Sequence, residues 1–300
     1  MVEGQRIAAV QRGKKLKIVL LLTSSYFVIQ LAGGIWTGSL ALIADAGHML
    51  TDVAGLLLSL LAIGFTRRPA TPQKTYGFYR MEILATLTNS VVLISISFYI
   101  IYEAYQRIFH PQEVQGIPVI LIASVGLVVN LVSLRLLSHS SLHDHKGGQE
   151  NLNIKSASLE VFSDTLGSAA VMVTAIIIIY TGFYLADPLA SIAISLFILP
   201  RTWSLMKKSV HILMEGVPPN VSHDEVKKAI MQIKGVTGIF ELHIWSITSG
   251  MDALSAHVVI IDPRKSLAIL KEINSIVEKK FGISNITIQI ETYHPEADRF

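Results

Sequence analysis

Four side chains in two apolar runs could do chemistry together. The first run, Ala41 to Ala62, carries His48 and Asp52 four residues apart, and the second, SASLEVFSDTLGSAAVMVTAIIIIY, carries Glu160 and Asp164 at the same spacing. Residues four apart share one face of a helix. A charge in hydrocarbon costs at least about 2.5–3.5 kcal/mol, so an ionisable group inside such a run is a functional hypothesis by default. An imidazole and a carboxylate on one face are half of a divalent-metal site, and the two carboxylates of the second pair would bring the count to the four ligands that tetrahedral zinc takes. Neither run contains lysine or arginine. A bound cation, or protons in its absence, must therefore neutralise the carboxylates. The plainer reading of either pair is a polar contact between helices. Asp45, one turn before His48, lines an entry path, binds a proton, or sits at a helix end near headgroups.

The chain has no cysteine. A disulfide framework and a thiolate metal site are excluded, which leaves imidazole, carboxylate, amide or water as ligands. A further group, His139, His143, Asp144 and His145, lies in the run SHSSLHDH. It is either a metal-capture loop or a solvated one.

The elements that must position these groups read as membrane helices. The sequence is 300 residues long, 51% hydrophobic and 16% charged, with a mean hydropathy of +0.52, too apolar for a soluble protein of this size. A helix crossing a bilayer needs about 20 apolar residues. Six runs qualify: 18–36, 41–62, 81–102, 117–137, 156–180 and 187–205. The first is too long for a signal-peptide core and no small-residue cleavage site follows it, so no cleaved leader is expected. The formal net charge is +3. Its basic residues sit beside apolar runs, which points to topology and not to nucleic acid. Lys and Arg fall in the N-terminal tail, in 67–80, in 138–155 and after the sixth run, while the loops between carry none or one. By the positive-inside rule both termini are cytoplasmic. Trp36, Tyr102 and Tyr180 suit an interface belt, and Asn89 and Asn130 suit hydrogen bonds between spans.

Residues 1–205 thus form a membrane domain, and 206–300 a small soluble one. In the latter, Val221–Lys234 has helical spacing with Ser222 as N-cap and Glu225 three residues on. Ile239–Ile247, Leu254–Ile261 and Ile286–Glu291 alternate with period two, and Ser266–Lys280 is an amphipathic helix. The order αββαβ predicts an α+β domain with helices on one face of the sheet. Alternation turns Phe240, Leu242, Ile244, Leu254, Ala256, Val258, Ile260, Ile286, Ile288 and Ile290 toward the helices. Glu241, His243, Trp245, His257, Val259, Thr287, Gln289 and Glu291 line the other face. That face is a dimer contact, a regulatory metal site, both, or an ordinary solvated surface.

Three segments, SLALIADAGHMLTD, TYGFYRMEILA and HILMEG…GV…LHIWSITSG…ALSAHVV, resemble the cation diffusion facilitator family over nearly the whole chain. The resemblance implies a homodimeric transporter of the cell membrane with six spans and a cytoplasmic ferredoxin-like domain. It implies export of a divalent cation, commonly zinc, with cadmium, cobalt, manganese or iron as alternatives, in exchange for protons. It also implies that the transport site is His48 and Asp52 with Glu160 and Asp164. Zinc-exporting members that this chain resembles carry histidine where Glu160 stands. Glutamate makes the ligand set harder and more anionic, which broadens selectivity away from zinc and cadmium toward cobalt, manganese or iron. In the soluble domain, where the family often has His-Asp, this chain has Phe240 and Glu241. A regulatory site there rests on His257, Gln289 and Glu291, with His243 as a further candidate. No prosthetic group is implied, and the divalent metal is cargo and possible regulatory ligand.

Two rival functions use the same residues. An intramembrane metalloenzyme would keep a water on its metal and need a general base, and the chain lacks H-E-x-x-H. A metal sensor would signal through the soluble domain without flux.

Overall fold

The computed structural model describes residues 2–65, 71–141, 150–248 and 250–293; within these, the side chains of 2–17, 52, 56, 58–65, 133–141 and 150–164 lie outside the description. The chain forms two compact units, one of residues 1–68 and 85–206, the other of 69–84 and 207–300. Residues 69–84 join the second unit although they precede it by more than a hundred positions.

The first unit is helical. Its elements are α1 (Val2–Thr37), α2 (Leu40–Phe65), α3 (Arg80–Phe109), α4 (Gly116–Ser141), α5 (Glu150–Thr181) and α6 (Ala186–Leu213), with residues 80–84 of α3 and 207–213 of α6 belonging to the second unit. Each of the six expected apolar runs lies inside one of these helices. Among the described residues, Ile18–Thr37, Arg80–Phe109 and Ala186–Leu213 are long and apolar enough to cross a membrane, and Gly116–Val132 and Thr165–Thr181 are shorter apolar stretches. The helices are held by close approach, as expected where lipid removes the hydrophobic drive for association. A side chain at Gly126 would overlap the Tyr26 ring, and one at Gly33 would overlap Ile122, so glycines let α1 and α4 touch. The Tyr26 hydroxyl then donates to the Ile122 carbonyl at 3.0 Å. The core gathers Leu42 and Ala44 of α2 with Ile100, Val119, Val171 and Ile198 of the helices around it. Large apolar side chains elsewhere, such as Leu21, Phe98 and Leu121, face outward, the pattern of a lipid-facing surface. Trp36, Tyr102 and Tyr180 are likewise exposed.

The second unit contains α7 (His223–Met231), β1 (Val236–Thr248), β2 (Met251–Ile260), α8 (Ser266–Phe281) and β3 (Asn285–Glu291). The Ser222 hydroxyl caps α7 by accepting from the Glu225 N–H, and Gly282 ends α8 at φ 73°, in the left-handed region glycine favours. Strand order is β1-β2-β3, with β1 and β2 antiparallel and β2 and β3 parallel. The core lies between the sheet and the two helices, around Val226, Ile230, Leu254, Val258, Ile273 and Val277.

One strand departs from simple alternation. Ile239 pairs with Val258 and is buried, while Phe240 pairs with His257 on the opposite face. The register shifts between Phe240 and His243, and Glu241 there takes φ 47°. An extra residue in one strand moves every earlier side chain to the other face. Phe240 therefore belongs with the polar face, and Ile239 replaces it against the helices.

Candidate metal centre

The residues expected to bind metal in the first unit lie on α2 and α5, which pack against one another. His48 is half-buried and borders a cavity of about 160 Å³ lined also by Thr51, Phe197, Arg201, Thr202 and Leu205. Residues 52, 160 and 164 are helical in α2 and α5; their side chains lie outside the described residues. Of the capture loop expected at His139 to His145, residues 139–141 close α4 with their side chains outside the description, and 142–145 lie outside the described residues.

One turn from His48 the two helices are tied by a buried polar cluster. Asp45 is 5% exposed, Gln30 0% and Ser168 1%. Gln30 Nε2 donates to Asp45 Oδ2 at 2.6 Å, and the Ser168 hydroxyl donates to the same oxygen at 3.4 Å. The carboxylate thereby joins α1, α2 and α5. Gly167 lies against it so closely that a Cβ there would overlap Asp45 Oδ1. The expectation that Asp45 sits at a helix end near headgroups is thus corrected: it is an interior hub, because a carboxylate this far from water keeps its place only with donors.

A second buried carboxylate, Asp187, was not singled out from the sequence. It opens α6 and reaches the N-terminus of α2, where four backbone N–H groups lack helical partners. Oδ1 accepts from the Ser39 hydroxyl at 2.6 Å and from the Ala41 N–H at 3.2 Å; Oδ2 accepts from the Leu40 N–H at 2.7 Å. Arg107 of α3 stands 4.0 Å from Oδ2, donates to the Gly38 carbonyl, and pairs with Glu103 at 3.1 Å. The signals were present in retrospect: Ser39 is an N-cap residue before an apolar run, and Asp187 precedes Pro188 at a helix start.

On the polar face of the sheet, three of the expected residues meet. His257 Nδ1 and Glu291 Oε1 are 2.8 Å apart, and Gln289 Nε2 donates to that same oxygen at 2.6 Å. Glu241 Oε2 is 3.5 Å from His257 Nε2, on the other edge of the ring. Two carboxylates on opposite ring edges do not converge on one point. Among the described residues, no three histidine, aspartate or glutamate side chains are grouped to hold an ion. His243 does not join this cluster. It pairs with Ser255, beyond the bulge, and lines a groove of about 730 Å³ with Tyr76, Tyr79, Arg80, Glu215 and Trp245. Within that unit, residues 69–84 are held by Arg80 Nη2 to Glu215 Oε1 at 2.8 Å and by the Thr248 hydroxyl donating to Glu82 at 3.1 Å.

Comparison with known proteins gives the family. The family description "Cation efflux transmembrane domain" matches residues 16–214, and "Cation efflux protein, cytoplasmic domain" matches 218–293. The metal cation efflux system protein CzcD of Cupriavidus metallidurans is 42% identical over 93% of this chain and 86% of its own length. A cadmium, cobalt and zinc/H(+)-K(+) antiporter of Bacillus subtilis is 42% identical over 93% and 89%. The zinc transporter ZitB of Escherichia coli is 39% identical over 91% and 85%. A solved structure, the metal-bound C-terminal domain of the CzcD transporter from C. metallidurans, is 38% identical over 24% of this chain and 99% of its own, with a TM-score of 0.22. The chain belongs to the cation efflux family of metal transporters, the cation diffusion facilitators, as a multi-pass membrane protein with a C-terminal cytoplasmic domain.

Proposed function

We propose that this transporter exports a divalent transition metal, zinc in the first instance, across the cell membrane in exchange for protons, through a site built from His48, Asp52, Glu160 and Asp164. Residues 1–205 carry transport through six spans, with the N-terminus cytoplasmic. Residues 206–300 regulate it and hold two protomers together. No covalent chemistry on the substrate is involved.

The observation that carries this reading is the contact of Asp45 with Ser168 and Gly167. At about 1.5 Å rise per residue, His48 lies about 4.5 Å along α2 from Asp45, and position 164 about 6 Å along α5 from Ser168. The two helices run antiparallel there, since α2 leads from the loop that ends at Ser39 and α5 leads into the loop that starts at Gly182. Steps toward higher numbers on α2 therefore match steps toward lower numbers on α5. Position 52 falls beside 160 in the same way. At 100° per residue, 160, 164, 167 and 168 occupy one arc of α5, and 45, 48 and 52 one arc of α2. This places 48 near the level of 164 about one turn from the 3.4 Å hydrogen bond, and 52 near the level of 160 about two turns from it, which supports a site shared by the two helices.

One neutral imidazole and three carboxylates sum to −3, against +2 for the metal. Clustered carboxylates in a medium of low dielectric do not all stay charged, so binding and release of metal exchange with protons at the same oxygens and nitrogen. With the site open to the cytoplasm, metal displaces protons. With it open to a more acidic exterior, protons displace metal and return with the carrier. Glu160 in place of histidine makes the set harder, which favours cobalt, manganese or iron beside zinc. In the cytoplasmic domain, His257, Glu291 and Gln289 take a regulatory metal only after the His257–Glu291 contact opens, with His243 as a further candidate.

The test is flux in proteoliposomes with a pH-sensitive dye and a panel of zinc, cadmium, cobalt and manganese. Metal-dependent proton movement in the parent, lost in Asp52→Ala, supports the reading. Metal binding without flux overturns it.

A further inference from the structure

The specificity of a site made by two helices depends on how far apart those helices stand. At Gly167, α5 passes close to the Asp45 carboxylate: a Cβ there would overlap Oδ1 and would lie 3.5 Å from Cγ. The carboxylate has little freedom to turn aside. Its other oxygen is held by Gln30 at 2.6 Å and by Ser168 at 3.4 Å, and all three side chains are almost fully buried. A methyl group at 167 must therefore break the Gln30 bond or push α5 away from α2. Breaking it would leave polar atoms buried and unpaired, which costs more than a small shift between two helices packed through small residues.

We propose that Gly167, through its contact with Asp45, is a specificity-determining position that sets the spacing between α2 and α5 and so the size of the ion the transporter prefers. This rests on the reading that His48, Asp52, Glu160 and Asp164 form the transport site. Gly167 is three positions from 164, and Asp45 three from His48, so a displacement at their contact is felt within one turn by ligands on both helices. Zinc takes oxygen ligands at about 2.0–2.2 Å. Cadmium and manganese take longer bonds, so a wider gap suits them and leaves zinc under-coordinated. Neither residue touches the ion; the pair works as a spacer.

The experiment compares the parent, Gly167→Ala, Asp45→Ala and the double variant Asp45→Ala/Gly167→Ala in proteoliposomes, measuring kcat and KM for zinc and cadmium separately. Gly167→Ala is expected to raise the cadmium-to-zinc ratio of kcat/KM about tenfold, the scale on which support around a metal site acts, mainly by raising KM for zinc. Removing the carboxylate that the new methyl meets should return the ratio to that of Asp45→Ala alone. Asp45→Glu lengthens the same contact from the other side and should shift the ratio in the same direction, which keeps the test open if Gly167→Ala does not fold. Because the chain has no cysteine, spin labels on two introduced cysteines, one on α2 and one on α5, read the helix separation directly. An unchanged cadmium-to-zinc ratio in a folded Gly167→Ala or Asp45→Glu protein overturns the proposal. Equal loss of both metals does the same. A parent that moves neither metal refutes the transport site itself, which is a separate result.

Discussion

The two parts of α2 are built on opposite terms. At its N-terminus every described polar group is matched: Asp187 accepts three hydrogen bonds, Arg107 supplies a nearby charge, and the cluster has almost no contact with solvent. Two turns further on, His48 borders a cavity, and α6 passes it with Pro200 inside the helix. Proline has no N–H to give the carbonyl four residues back and weakens the helix there. The start of α2 is fixed by saturation, and the stretch at His48 keeps space beside it. A carrier needs both, since a site that opens to alternate sides must move about something that does not.

The largest effect expected from this contrast is at the open part. Asp52→Ala should reduce metal flux at least about 100-fold, because losing even a group that only supports a metal ligand costs 10–100-fold. The protein should still fold, with the melting temperature in detergent near the parent's. A variant with flux intact would remove Asp52 from the site and with it the contrast.

At the fixed end the order reverses, and stability suffers before selectivity does. Asp187→Ala strips three donors and Arg107 of their acceptor, at a cost of about 3 kcal/mol. Ser39→Ala removes one bond of the same cap and should cost about 1 kcal/mol. Thermal unfolding in detergent measures both, while the zinc-to-cadmium ratio of the surviving flux should stay at the parent value. A selectivity change in Asp187→Ala would show that the end of α2 is not a passive anchor.

How far these features could be read in advance depended on whether they were periodic or singular. The six helices follow from apolar runs long enough to cross a bilayer, and the αββαβ order from periods of 3.6 and 2 in the soluble part, signals that survive any one exceptional residue. The pairs His48 with Asp52 and Glu160 with Asp164 stood out because charge is rare in such runs. Phe240 was misplaced because one extra residue in β1 reverses the alternation before it, and no glycine or proline marks the bulge at Glu241. Asp187 and Gln30 passed unnoticed because their meaning lies in contacts 148 and 15 residues away along the chain. Spacing within one helix does not reveal a partner on another. The attachment of 69–84 to the second unit was hidden for the same reason, since Arg80 finds Glu215 across 135 residues.

The cytoplasmic sheet repeats the contrast in weaker form. His257 and Glu291 are already joined, so a metal must compete with that contact. Their side chains are 28% and 17% exposed, and a partly buried hydrogen-bonded pair contributes on the order of 1 kcal/mol. Glu291→Gln should therefore change thermal stability little without metal, while reducing the rise in melting temperature that zinc gives the parent. A full rise in the variant would place regulatory metal elsewhere.

The smallest effect concerns a carboxylate whose partners lie in its own turn. Asp262 caps the single 3₁₀ turn Pro263–Lys265, accepting from the Arg264 N–H at 3.1 Å and from the Arg264 guanidinium at 3.1 and 3.3 Å. The guanidinium first, and then the backbone N–H, hold its carboxyl below the usual carboxylate value. A group whose pKa is lower folded than unfolded adds stability above its unfolded pKa, about 3.9 for aspartate, and loses it as pH falls through the folded value. Asp262→Asn should thus lower the melting temperature slightly at pH 7, and the gap to the parent should close as the pH drops below 4. Arg264 is 90% exposed, so salt should shrink the gap at pH 7 as well. Unlike Asp187, this carboxylate lies open to water, and a difference unmoved by both pH and salt would mean that its hydrogen bonds to the turn, and not its charge, carry the effect.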